Sequence, residues 1–384
     1  MPRQPSLPAS PVTPLLATKP AKIDSFTENP ALAALGKRLF FDERLSEPPG
    51  TSCASCHDPK RGYSGNHGST KGVAAGSRNG AFAIRNTPSV KYLRYVPQRY
   101  VFLEDESPAP TPFGGFFYDG RANSIAEAIR GPLLDPREMN NRSEKFLAEK
   151  LGRLEYRAAL ADGISGDTPA ALIDAAGRAI EAFLFSDEMS PFTSRFDDYL
   201  RGGKKLSPDE MNGLSLFKNP DKGNCASCHT VVDTSSKPAR SLFTDFGFDA
   251  IAVPRNRASP ANADPAFFDV GLCDTARRLK WEEAGQWCGY FKTANLRNVA
   301  LRERFMHNGV FSDLRDAVAF YATRSTDPKL WYGAHRKFDD VPLRYVGNVN
   351  VSASPLNRRE GVKPALTDSE IGDIVAFMKT LTDR

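Results

Sequence analysis

The sequence predicts an all-α protein, mostly helical with long ordered loops, organised as two similar halves. Three observations carry this. Apolar residues recur at helical spacing through much of the chain. No segment alternates apolar and polar residues well enough to be read as a strand. One arrangement also occurs twice: a helix ending in Leu-Phe, a polar break, then Cys-Ala-Ser-Cys-His.

Residues 1–28 are rich in proline and small residues and read as an extended arm. A helix is expected over Pro30 to Phe41, with Leu32, Leu35, Leu39 and Phe40 on one side. Pro48-Pro49-Gly50 ends the approach to the first cysteine. Residues 60–120 are rich in Gly, Pro, Arg and Asn. They read as long ordered loops, which in a compact domain usually serve function. Helical patterns return at Asn123–Arg130, Ser143–Leu154 and Thr168–Phe185. The last places Leu172, Ile173, Ala176, Ile180, Phe183 and Leu184 on one face. Residues 200–206, Leu-Arg-Gly-Gly-Lys-Lys-Leu, read as a linker, so the halves are expected at 29–200 and 201–384.

The second half opens with Ser207 and Glu210 as a capping box, followed by Met211, Leu214 and Phe217 at helical spacing. Asn219-Pro220 breaks that helix. The stretch 231–300 is irregular. A helix over Asp313–Ala322 places Leu314, Ala317, Val318 and Tyr321 on one stripe. The last helix starts at the capping box Thr367 and Glu370 and carries Ile371, Ile374, Val375, Met378 and Leu381.

Cys53-Ala54-Ser55-Cys56-His57 and Cys225-Ala226-Ser227-Cys228-His229 each read C-x-x-C-H, the attachment pattern of a c-type haem. Two thiols at this spacing can form thioethers to the vinyl groups of one porphyrin, and the next histidine reaches the iron as an axial ligand. A zinc ribbon would need both cysteine pairs close together and has no use for a histidine after each. A redox-active C-x-x-C does not need the histidine either. The motifs therefore predict two covalently bound haem c groups in two cytochrome c-like domains, each begun by helix, Leu-Phe and break.

The net charge of +5 is spread without a polybasic run, which argues against nucleic acid as the main partner. It suits an acidic protein partner. Haem is attached to such motifs outside the bacterial cytoplasm, so the expected location is the periplasm. There the two remaining cysteines, Cys273 and Cys288, are expected to pair. The start, Met1-Pro2-Arg3-Gln4-Pro5, shows no apolar h-region, so the numbering is expected to begin at a mature or engineered form. No stretch approaches the roughly 20 apolar residues of a membrane span.

Two such motifs, with Tyr118-Asp119-Gly120-Arg121-Ala122 between them and Phe291-Lys292-Thr293…Leu296-Arg297-Asn298-Val299 after, resemble the bacterial dihaem cytochrome c peroxidases and their MauG-like relatives. The resemblance spans about 30 to 381. It implies that the first haem reacts with hydrogen peroxide and the second stores or relays electrons. The family's bridging tryptophan is Tyr118 here, an aromatic that can also be oxidised. Glu138 falls at the family's acid–base position and Pro132 at the proline overhanging the iron. A pocket glutamine of MauG-like proteins is Ala128 here. No histidine matches the one that blocks the first iron in many dihaem peroxidases, since His67 lies too early. The resemblance thus implies a first iron left open.

For the second iron the resemblance points to Tyr321, with Met306 as the alternative; Met378 is explained by packing. A phenolate favours ferric and more oxidised iron, whereas a thioether favours ferrous iron. The family also holds a calcium ion between its domains; Asn86 and the Thr293 carbonyl match its ligands, though the proline usually following is Ala294 here. Together these imply a MauG-like oxidoreductase. It would use hydrogen peroxide, with both haems as one oxidising unit, on an aromatic residue of a partner protein. The alternative is a cytochrome c peroxidase fed by a small cytochrome or copper protein. A pure electron carrier with both irons closed is a third reading, against which the loops at 60–120 argue. Trp281, Trp287 and Trp331 read as packing residues.

Overall fold

The computed structural model describes residues 29–104, 107–160, 166, 168–231 and 241–384; the expected arm at 1–28 lies outside the described residues. Helix α1 (Pro30–Phe41) starts where the Asn29 side chain accepts from the Leu32 amide at 3.0 Å, with proline in its first turn. Helix α2 (Cys53–Cys56) is a single turn. The loops then carry an antiparallel pair, β1 (Tyr100–Glu104) with β2 (Ser107–Phe113). The helix expected at Asn123–Arg130 is two short ones, α3 (Ile125–Ala128) and α4 (Arg130–Leu134). Pro132 has no amide proton to return to Ala128, so a continuous helix cannot run through this point. Helices α5 (Glu144–Arg153), α6 (Tyr156–Leu160) and α7 (Pro169–Leu184) complete the first half, with Ser143 and Thr168 capping α5 and α7.

The second half contains α8 (Arg195–Leu200), α9 (Pro208–Lys218), β3 (Phe248–Asp249), α10 (Leu272–Arg278), β4 (Phe291–Lys292), α11 (Leu314–Thr323), α12 (Pro328–Tyr332) and α13 (Asp368–Lys379). Both expected capping boxes form, at Ser207 with Glu210 and at Thr367 with Glu370. The chain is mostly helical, but the strands correct the all-α expectation. β3 pairs with β4 over two residues each, too short to leave an alternating pattern in sequence. Cys273 and Cys288 form a disulfide, as expected.

Two separate apolar cores result. The first gathers Leu39, Leu147, Ile180 and Phe183; the second gathers Phe217, Phe243, Phe320 and Phe377. Phe196, Tyr199 and Leu200 pack with the second core, so the changeover begins before the Gly-Gly-Lys-Lys stretch placed as linker. Phe196 meets Phe377 edge-on with ring centroids 5.4 Å apart, which fixes α8 to α13.

Each core is built on one helix crossing of the same kind. α1 lies on α7 and α9 lies on α13. At each crossing a glycine lets one backbone touch the other. A Cβ on Gly36 would stand 1.8 Å from the Ala179 carbonyl oxygen, and one on Gly213 would stand 1.9 Å from that of Asp373. The sequence repeat is therefore a repeat of this contact, one helix before each Cys-Ala-Ser-Cys-His. Gly36→Ala and Gly213→Ala must each push two helices apart, and each is expected to lower stability by about 1–3 kcal/mol. Urea midpoints check this, and Gly152→Ala, where an added Cβ meets nothing within 4 Å, serves as the control.

Candidate functional site

Both cysteine motifs make the same turn. The His57 amide donates to the Cys53 carbonyl at 2.8 Å, and the His229 amide donates to Cys225 at 2.8 Å. Each histidine is thereby set beside its two thiols. Each ring is held from behind by a carbonyl: His57 Nδ1 lies 3.3 Å from the Tyr63 oxygen, and His229 Nδ1 lies 2.8 Å from that of Phe243. Such a bond places the proton on Nδ1 and leaves Nε2 as a donor of electrons. Burial pushes His57 down to about 4 and lowers His229, so both rings stay neutral and able to ligate.

A cavity of about 760 Å³ runs between the halves, lined by Cys53, Cys56 and His57 at one end and by Cys225, Cys228 and His229 at the other. Burial raises the thiols, to about 12 for Cys53, Cys56 and Cys225 and to about 11 for Cys228. They stay protonated at neutral pH, unlike zinc thiolates or reactive cysteines. Among the described residues no three His, Cys, Asp or Glu side chains are grouped to hold a bare metal ion. A largely apolar void with paired thiols and a pinned imidazole at two places fits two covalent haem groups.

Most of the residues expected at the site line this one cavity: Tyr118, Pro132, Glu138, Tyr321, Met306, Asn86 and Thr293. The Glu138 carboxyl has no hydrogen-bond partner among the described residues. Burial, then the Asp135 carboxylate, raises it to about 7, against the pull of Arg121 and Arg137. It stands close enough to Cys53 and Cys56 to perturb both thiols. Ala128 is buried in the first core. His67 does not line the cavity; its Nδ1 bonds the Ala75 carbonyl at 3.0 Å as a loop residue.

Tyr321 projects from α11 along the stripe of Leu314, Ala317 and Val318, all of which line the cavity. Its hydroxyl bonds no described residue, and burial beside Cys228 and Asp249 raises it. Met306 sits in a left-handed turn with φ +68°, and its carbonyl accepts from Asn86 Nδ2 at 3.1 Å. Met378, assigned to packing, also lines the cavity while 5% exposed. Asn86 Nδ2 donates to the Arg304 carbonyl as well, and the Thr293 carbonyl accepts from Thr244 Oγ1 at 2.7 Å. None of the three tryptophans lines the cavity; Trp331 packs on Phe311 and Phe320.

Sequence reasoning missed the charges that join the halves. Arg85 is held between Asp119 of its own half, at 2.6 Å, and Asp269 of the other, at 2.5 Å. Lys292 donates its backbone amide to Tyr118 and its ammonium to the Gly115 carbonyl; burial lowers it to about 8. His307 stacks on Phe291 with centroids 3.5 Å apart. Arg85 stands beside Asn86 and Lys292 lies inside a quoted motif, but no spacing rule pairs residues more than 170 positions apart.

A cavity walled by two haem-attachment turns defines a dihaem c-type oxidoreductase. The family described as di-haem cytochrome c peroxidase matches residues 30–205. The methylamine utilization protein MauG of Paracoccus denitrificans is 34% identical over 92% of this chain and 89% of its own. The crystal structure of the diheme peroxidase BthA from Burkholderia thailandensis E264 superposes with a TM-score of 0.89 at 57% identity, covering 93% of this chain and 87% of that one. A cytochrome c551 peroxidase of Nitrosomonas europaea is 29% identical over 80% of this chain and 75% of its own. The chain belongs to the di-haem cytochrome c peroxidase family, and it is a peroxidase-type oxidoreductase with hydrogen peroxide as oxidant.

The protonated Glu138 has a consequence for stability. The folded protein keeps a proton that the unfolded chain loses near its ordinary value of 4.5, until about 7. Stability therefore falls as pH rises through that window. Glu138→Gln removes this loss, so the variant is expected to gain on the wild type as pH rises from about 5 to about 8. Urea midpoints across that range check it; a constant difference contradicts it.

Proposed function

We propose that the chain holds two haem c groups in two cytochrome c-like domains, the first from residue 29 and the second beginning with α8 just before residue 200, and works as a MauG-like periplasmic enzyme on a partner protein. Bound haem supplies an iron site for peroxide reduction and a store for oxidising equivalents. The Cys53 and Cys56 thiols hold the first group and His57 Nε2 its iron. Cys225, Cys228 and His229 do the same for the second. Glu138, a carboxyl beside the first motif with no hydrogen-bond partner among the described residues, is near its midpoint at neutral pH. It takes the proton from the inner oxygen of peroxide and delivers it to the outer one. Pro132 overhangs this position and limits access to it. Tyr118, fixed through its own carbonyl by Lys292, is the oxidisable group in the wall between the two motifs.

The observation that carries the MauG-like reading is Tyr321, whose hydroxyl bonds no described residue and which lines the cavity near Cys225 and Cys228. Were it to bind the iron of the second group, its anionic oxygen would favour the oxidised metal. The second reading, a peroxidase drawing electrons from a small cytochrome or copper protein, is favoured by Met306, which lines the same cavity. A thioether-to-iron charge-transfer band in the resting enzyme would support it. The substrate in the MauG-like reading is an aromatic residue of a docked protein. Asn86 Oδ1 and the second lone pair of the Thr293 carbonyl are also the oxygens offered to a calcium ion.

Two variants test the assignment. Glu138→Gln is expected to slow peroxide consumption by about 10²–10⁴ with the resting haem spectrum unchanged. Tyr321→Phe is expected to remove the phenolate band and the stable doubly oxidised state together; persistence of that state means another residue closes the second iron.

A further inference from the structure

The cavity wall holds a third tyrosine in surroundings unlike those of Tyr118 and Tyr321. Tyr92 is 1% exposed and lines the cavity. Its hydroxyl donates to the Asp383 carboxylate, with oxygens 2.7 and 2.8 Å away, and accepts from the Phe192 amide at 3.1 Å. The hydroxyls of Tyr118 and Tyr321 bond no described residue. Asp383 is itself held by Asn298 Nδ2 at 2.7 Å and lies 3.4 Å from Arg297. Arg297 is also paired with buried Asp197, so a proton arriving on Asp383 would not leave the guanidinium without an anion.

This geometry matters because an oxidised phenol is a strong acid. Removing its electron is far easier where a base takes the proton in the same event, within hydrogen-bond reach. We propose that Tyr92 is a redox-active residue that gives up one electron toward the cavity as its proton passes to Asp383. The Tyr92 O–H bond breaks and an O–H bond forms on the carboxylate, leaving a neutral phenoxyl beside a neutral acid. Reduction of one hydrogen peroxide to two waters takes two electrons and two protons. Tyr92 supplies one of those electrons and an external one-electron donor the other, with both protons drawn from water; a further donor electron returns to the phenoxyl and lets the proton go back from Asp383. The Phe192 ring lies 4.8 Å from Tyr92 and 5.6 Å from half-buried Tyr95, which gives the vacancy an aromatic route outward. The proposal rests on the peroxide reading above for its oxidant.

Paramagnetic resonance tests it on the haem-loaded protein, frozen after one equivalent of hydrogen peroxide, with ordinary and ring-deuterated tyrosine. A radical signal that narrows on deuteration is expected in the wild type. It should fall to background in Tyr92→Phe and in Asp383→Asn. The second variant keeps the tyrosine and a hydrogen-bond acceptor but cannot hold the proton, so a strut joining the halves would leave its signal intact. Urea midpoints of both variants confirm that they fold. A tyrosine signal of wild-type size in either variant overturns the proposal, as does a wild type that consumes peroxide without one. A parallel arm replaces peroxide with a photogenerated ruthenium(III) oxidant. A wild type inert to peroxide that yields the Tyr92 signal with ruthenium removes the functional reading and keeps the redox role of Tyr92. Silence in both arms ends both.

Discussion

Two imidazoles, each pinned from behind by one backbone carbonyl, set the terms for the rest of the molecule. A ring bonded through Nδ1 can present only Nε2 to the cavity, and its direction is then that of the loop carrying the carbonyl. Tyr63 supplies one of those carbonyls six residues after His57, and Phe243 the other fourteen residues after His229. Both residues are in left-handed backbone conformations, with φ +55° and +54°. The same strained placement is thus repeated in both halves, where it aims a carbonyl that ordinary turn geometry would not.

The helices serve this arrangement. The α1–α7 and α9–α13 crossings are drawn together at glycines, and each delivers the chain into its Cys-Ala-Ser-Cys-His turn at the edge of a packed core. The walls between the cores draw on loops as well as helices, and buried ions join the halves there. Arg85 between Asp119 and Asp269 is the clearest case: burial alone would disfavour the guanidinium, and two carboxylates from opposite halves keep it charged. Such a junction fixes the register of the halves, and with it the separation of the two histidines across one shared cavity.

The helical framework was legible because its signals are local. Capping residues such as Ser207 and Thr367, and the apolar stripe of α11, are complete within one or two turns. The lining of the cavity was legible where a motif is contiguous, as in Cys53 to His57, or where Glu138 and Tyr321 follow at family spacing. The break between α3 and α4 was missed because it falls at Ile129, inside the helix expected over Asn123–Arg130, and is set by Pro132 beyond that helix's expected end. β3 and β4 were missed because two residues carry no period. Tyr92 with Asp383 and Arg85 with Asp269 were missed because they are paired by the fold across most of the chain, and neither partner is unusual alone.

The central claim, resting on the proposed function, is that both haem sites work as one oxidising unit because both histidines line a single cavity, with Glu138 beside the first motif and Tyr321 beside the second. Paramagnetic resonance of the ferric protein before and after one equivalent of hydrogen peroxide tests it most directly. The account predicts an open high-spin signal and a closed low-spin signal at rest, both lost together on addition of peroxide. Loss of the high-spin signal with the low-spin signal unchanged would contradict it.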